Sequence, residues 1–137
     1  MRNRKGFTMV EVLVVVGIIG MLAVFLVPKL MGTQDRAKEG AVKAVMHSVQ
    51  LGIESYNMEN LSYPVAGGIT LKDLVDNYLT AGGYMTSVPK NPFTGKEYTD
   101  EDVAGKVIYD YNEVKGVYTL KGYKRDGKTE VMELTNL

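Results

Sequence analysis

The chain has no cysteine among its 137 residues and a single histidine, His47. The first absence excludes disulfides, thiolate metal centres, c-type haem attachment and lipid attachment through cysteine. The second leaves little material for zinc chemistry or for a Ser-His-Asp triad. Net charge is missing too, because 16 basic and 16 acidic side chains cancel. The cancellation is uneven. Arg2, Arg4 and Lys5 fall in the first six residues without an acid, leaving 13 basic against 16 acidic residues in the remainder. A mildly acidic body argues against nucleic acid as an obligatory partner, since phosphate binding requires a net basic face. The length fits one domain with an appendage.

Charge of either sign is nearly absent from one long stretch. Residues 7–27 read FTMVEVLVVVGIIGMLAVFLV and hold one ionisable side chain, Glu11. At about 1.5 Å per residue, a helix of that length crosses the roughly 30 Å core of a bilayer. A secretory signal peptide has a shorter apolar run and a small-x-small cleavage site, which Ala23-Val24-Phe25 does not supply. A plain membrane anchor accounts for the length, and for Arg2, Arg4 and Lys5 as its cytoplasmic flank. It does not account for Glu11, because charges in membrane segments are costly and ordinarily mark function.

A short basic leader ends in Gly6, then come Phe7-Thr8-Met9-Val10-Glu11 and a Val/Ile/Leu run. This order resembles the class III signal of type IV pilins and type II secretion pseudopilins, over about the first thirty residues. The resemblance implies cleavage between Gly6 and Phe7 by a prepilin peptidase and N-methylation of the new Phe7 amine. It implies an assembly platform protein and a motor ATPase as further partners, and a homopolymeric helical filament as the product. The precursor is then expected in the cytoplasmic (inner) membrane, and the assembled filament at the cell surface or outside. Glu11 acquires a role in this frame. A free amine at Phe7 has a reference pKa near 8 and is cationic. Groups four positions apart on a helix face each other, so Phe7 and Glu11 pair within one subunit or between neighbours. The resemblance favours the second arrangement, with Glu11 as a registration residue. In low dielectric an unpaired charge is far worse than a paired one.

One helix is expected over residues 7–57, in two parts: an apolar 7–27 and an amphipathic 28–57. Its buried stripe is predicted from Ala37, Ala41, Ala44, Val45, Ser48, Val49, Gly52, Ile53 and Tyr56 at three- and four-residue spacing. Pro28 lies inside it and removes one hydrogen bond. In the pilin family the segment corresponding to Gly20 through Pro28 can unwind on assembly, and this sequence keeps both bounding residues. The bland reading is that Pro28 marks the membrane exit. His47 reads as a surface residue, and Met46 and Met58 as core or helix fillers.

Residues 58–137 read as an α+β head behind the leader (1–6) and the helix. Thr70 and Asp73 resemble a capping box, opening a short helix through Leu71, Leu74, Val75 and Tyr78 to about Thr80. A loop follows over residues 88–98. Strands are predicted over residues 106–111, 117–123 and 129–134, with Asp126-Gly127 as a hairpin turn. The expected fold is pilin-like, a long helix packed on a small antiparallel sheet of about three strands. Asp100, Glu101 and Asp102 form a weak calcium candidate, against which a solvated acidic loop is the plainer reading. Lys115, Lys121, Lys124, Arg125 and Lys128 read as a charged sheet edge that resists aggregation. Tyr109, Tyr111, Tyr118 and Tyr123 read as core or cross-strand residues.

No catalytic constellation is visible, so the expected function is structural. The chain reads as a filament subunit of a type IV pilus or a pilus-like filament. The alternative within the family is the major pseudopilin of a type II secretion or DNA-uptake system. From another class, a membrane-anchored binding domain that never polymerises would keep its leader.

Overall fold

The computed structural model describes residues 5–136, so Arg2 and Arg4 of the predicted leader lie outside the described residues. The chain divides into two compact units, one ending at Asp35 and one beginning at Arg36.

The first unit is dominated by the opening part of helix α1 (Met9–Asn60). Its Val- and Ile-rich sequence has no strong helical propensity of its own, but a helix is the one single-segment structure that satisfies every backbone group in lipid. An 18-residue window of α1 has a mean hydropathy of 2.9 with none of it buried. Pro28 is accommodated without ending the helix, although it leaves the Val24 carbonyl without its usual donor.

In the second unit, residues 36–60 of α1 pack on a sheet. The buried stripe is Val42, Met46, Val49, Gly52 and Ile53. This corrects the predicted phase: Ala37, Ala41, Ala44 and Ser48 are exposed, and Val45 and Tyr56 are half-buried. The reason is volume. Met46 and Val42 fill the space over Gly122, where a Cβ would overlap the Met46 sulfur and stand 3.3 Å from Val42 Cγ1. Only glycine admits the helix this closely.

The sheet has four strands in the order β1 (Ile69–Thr70), β2 (Val107–Asn112), β3 (Val117–Tyr123) and β4 (Glu130–Thr135), all antiparallel. The predicted three are β2 to β4. The fourth, β1, is two residues long, too short to show an alternation, and pairs Ile69 with Tyr109 and Thr70 with Ile108. Along β3, side chains alternate in burial, sending Tyr118, Leu120 and Gly122 inward. Tyr109, Tyr118 and Leu120 meet the α1 stripe and Leu71, Leu74, Val75 and Leu79 in one core.

Thr70 caps the short helix α2 (Leu71–Leu74), accepting from the Asp73 N–H at 3.2 Å. The predicted helix to Thr80 then widens into a π turn over Val75–Leu79, closed by Thr80 N–H on the Val75 carbonyl. The loop before β2 is organised by Asn91, which is fully buried. Its amide donates to the Ala104 carbonyl at 2.8 Å and to Asp102 at 3.2 Å, and its oxygen accepts from Phe93 N–H at 2.9 Å.

Candidate processing and assembly site

Residues 5–8 are not helical, and Gly6 and Phe7 are exposed, Phe7 at 89%. Nothing stands within 4 Å of where a Gly6 side chain would begin. The Gly6–Phe7 peptide bond thus lies in open, non-helical backbone, the form in which chains are most readily cut.

The helix begins two residues later, and its start is built by a reciprocal pair. Glu11 N–H donates to Thr8 Oγ1 at 3.3 Å, and Thr8 N–H donates to Glu11 Oε2 at 2.9 Å. This is a capping box, in which two orphan donors of the first turn are satisfied by side chains. Its sequence signal, Thr-x-x-Glu ahead of an apolar run, was legible but overshadowed by the question of what neutralises Glu11. Phe7 therefore sits outside the helix before cleavage, one residue ahead of the cap, and the carboxylate closes on Thr8 rather than on position 7. An ionised carboxylate has two oxygens and about four acceptor sites, so holding one N–H leaves capacity for an ammonium.

The rest of the predicted set is dispersed. Gly20 and Pro28 both lie within continuous α1. Phe25, Leu26 and Val27 between them are exposed, as apolar residues are in a segment that meets lipid or other helices. His47 is exposed. Asp100 accepts a hydrogen bond from the Thr70 hydroxyl. Asp102 accepts from Thr99 N–H and the Thr99 hydroxyl, each at 3.0 Å, and from Asn91. Glu101 is exposed. Among the described residues, no group of three or more His, Asp or Glu is placed to hold a metal ion. A cleft of about 140 Å³ at this loop is lined by Thr70, Tyr98, Asp100, Asp102 and also Lys106, whose ammonium opposes a second cation.

The basic cluster does not form one patch. Lys121 pairs with Glu130 at 3.1 Å and Glu133 at 3.3 Å, Lys124 pairs with Glu39 at 3.8 Å, and Arg125 stands over the Phe93 ring. Sequence reasoning missed Glu54, whose two oxygens accept from Tyr118 at 2.9 Å and Tyr63 at 3.0 Å, tying helix to sheet.

Comparison with known proteins bears on both units. A model of the prokaryotic N-terminal methylation motif matches residues 1–27, and that of type II secretion system protein G matches residues 29–131. The chain is 35% identical over 106 residues to type II secretion system core protein G of Vibrio cholerae, covering 72% of this chain and 70% of that protein. It is 35% identical over 105 residues to the same protein of Escherichia coli K12, covering 70% of each. A wide type IV pilus major component, PilA4 of Thermus thermophilus, is 41% identical over 63 residues, 46% of this chain and 48% of that one. No solved structure matches at a significant level.

Proposed function

Because this chain belongs to the type II secretion system protein G family, we propose that it is the repeating subunit of a short secretion pseudopilus. One observation carries the choice of pseudopilus over pilus. The protein G match runs through residues 29–131 and so takes in the sheet unit, whereas the likeness to the pilus component spans 63 residues.

The steps follow from the residues at the helix start. The leader, with Lys5 at its end, holds the precursor on the cytoplasmic side. A prepilin peptidase hydrolyses the Gly6–Phe7 amide, leaving a Gly6 carboxylate and a Phe7 amine, which is then methylated and stays cationic. Glu11, already anchored by Thr8, offers that amine of a neighbouring subunit its second bond. Because a lone charge among apolar helices is strongly disfavoured, a subunit that mismatches this pair is rejected, which fixes axial register. The apolar part of α1 supplies the lateral contact, and unwinding between Gly20 and Pro28 supplies length when subunits pack. The chain moves from the inner membrane into the fibre. The acids at 100–102 serve the loop's own hydrogen bonding, and cohesion does not call on calcium.

Electron microscopy of sheared surface material, with mass spectrometry of the subunit's amino terminus, tests the reading. Short fibres whose subunits begin at methylated Phe7 are expected, together with loss of secreted cargo when the chain is deleted. Long abundant filaments with secretion intact would assign the chain to a pilus instead. The Glu11→Gln variant is expected to be cleaved normally and to leave assembly; normal fibres from it would sink the registration role.

A further inference from the structure

Within the second unit, α1 is apolar on two opposite sides. One side is the buried stripe of Val42, Met46, Val49 and Ile53. At about 100° per residue, Ala37, Gly40, Ala44, Leu51, Ser55 and Met58 cluster around the opposite direction. All six are exposed, Leu51 at 71% and Met58 at 79%. This sector contains no Asp, Glu, Lys or Arg, and His47 is its one ionisable side chain. A helix lying on a sheet with water behind it normally carries its charges there. Here the charges are displaced to the borders.

We propose that this face of α1 is a lengthwise seam that receives α1 of a second copy of this chain. The inference rests on the filament reading above and adds the surface by which the sheet-bearing units join. Three observations favour a copy of the same chain over another partner. Ala37, Ala44, Leu51 and Met58 recur every seven residues, the spacing that keeps one face turned toward a parallel helical neighbour. Small residues between the large ones let helix backbones approach to about 8 Å. Stepping back by sevens from Ala37 reaches Leu30, Ala23, Val16 and Met9, so the face lies in register with the apolar segment through which the chain polymerises. In lipid-exposed residues that continuity is expected of any position. Beyond Asp35, where charge is frequent, it is not. The borders are also complementary: Arg36 and Lys43 flank the face toward its start, Glu54 and Glu59 toward its end. A parallel copy displaced along the axis sets one against the other.

The absence of native cysteine makes the test clean. Full-length chains carrying Leu51→Cys or Met58→Cys are treated with a membrane-impermeant maleimide, both in detergent and as purified sheared fibres. Labelling is expected to fall by about tenfold on assembly, because thiol reactivity follows access. Equal labelling in both states overturns the seam while leaving the filament reading intact. Protection in cells that disappears in purified fibres gives the face to a different protein and overturns the proposed occupant. No fibres from the parent chain overturns the filament reading and the seam together. As a second variant, Leu51→Glu places a charge where water now lies, so the unit still folds. Fibre yield is expected to drop by about tenfold or more, since assembly would bury that charge. Val114→Glu, at a position 97% exposed in the β2–β3 turn, is the matched control. Undiminished yield from Leu51→Glu overturns the proposal.

Discussion

Gly122 and Asp126 show how much of this fold rests on single side chains, or on the lack of one. A methyl group at position 122 collides with Met46 and Val42, so Gly122→Ala is expected to destabilise the second unit by about 1–3 kcal/mol. Thermal denaturation monitored by circular dichroism reads the shift. Asp126 occupies the β3–β4 connection, where Gly127 takes a left-handed φ of 65°. Hydrogen bonds from the Thr129 hydroxyl and from the Lys128 and Thr129 N–H groups hold its carboxyl down at about 2. A depressed carboxyl supports the folded turn above the ordinary carboxylate range near 4 and loses that support as pH falls through about 2. Thr129→Val is expected to raise the Asp126 value toward the ordinary range, measurable by NMR titration of the detergent-solubilised chain. Neither feature could be read beforehand. A glycine in a strand carries no label for what presses on it, and Asn91 looked like one more polar loop residue until burial gave its amide three partners.

At the level of elements, β2, β3 and β4 were legible to within a residue or so because each alternates between half-buried and buried positions. The Thr70 cap was legible from its local chemistry. The phase of α1 was not, for a physical reason: with apolar residues on both sides, periodicity alone cannot say which side turns inward. Side-chain volume decided, since Val42 and Met46 fill a core that alanines would leave hollow. Strand β1 was invisible because two residues cannot display a period. The layer between α1 and the sheet is rich in tyrosine. Tyr109 and Tyr118 stack at 5.7 Å, and Tyr118 meets Tyr63 edge-on at 4.9 Å. Burial pushes the Tyr98, Tyr109 and Tyr118 hydroxyls well above their usual value. The folded state therefore holds the neutral phenol. That support is complete below the unfolded value near 10 and is lost as pH climbs above it. Denaturant midpoints measured between about pH 8 and pH 12 are expected to stay level to about 10 and then fall.

For the whole molecule, the leader, the cut and the apolar run were readable because each step imposes its own residue type at a fixed place. What assembles with what was less readable, since an exposed face differs from a buried one only after the fold is known. Without disulfides, and with Asp102 engaged by Thr99 and Asn91, the second unit is held by packing and by links such as those of Glu54. Its melting temperature is accordingly expected to be the same in calcium and in a calcium chelator; a rise of several degrees in calcium would return the acids at 100–102 to consideration.

The capping box bears on the timing of maturation. The first backbone bond of the helix runs from Val12 N–H to the Thr8 carbonyl, and the cap itself uses only Thr8 and Glu11. The scissile bond lies upstream of every one of these groups. Removing the leader therefore breaks no hydrogen bond of the helix, and the peptidase has no unwinding step to wait for. Maturation is then paced by encounter within the membrane, and precursor and product enter it with the same fold.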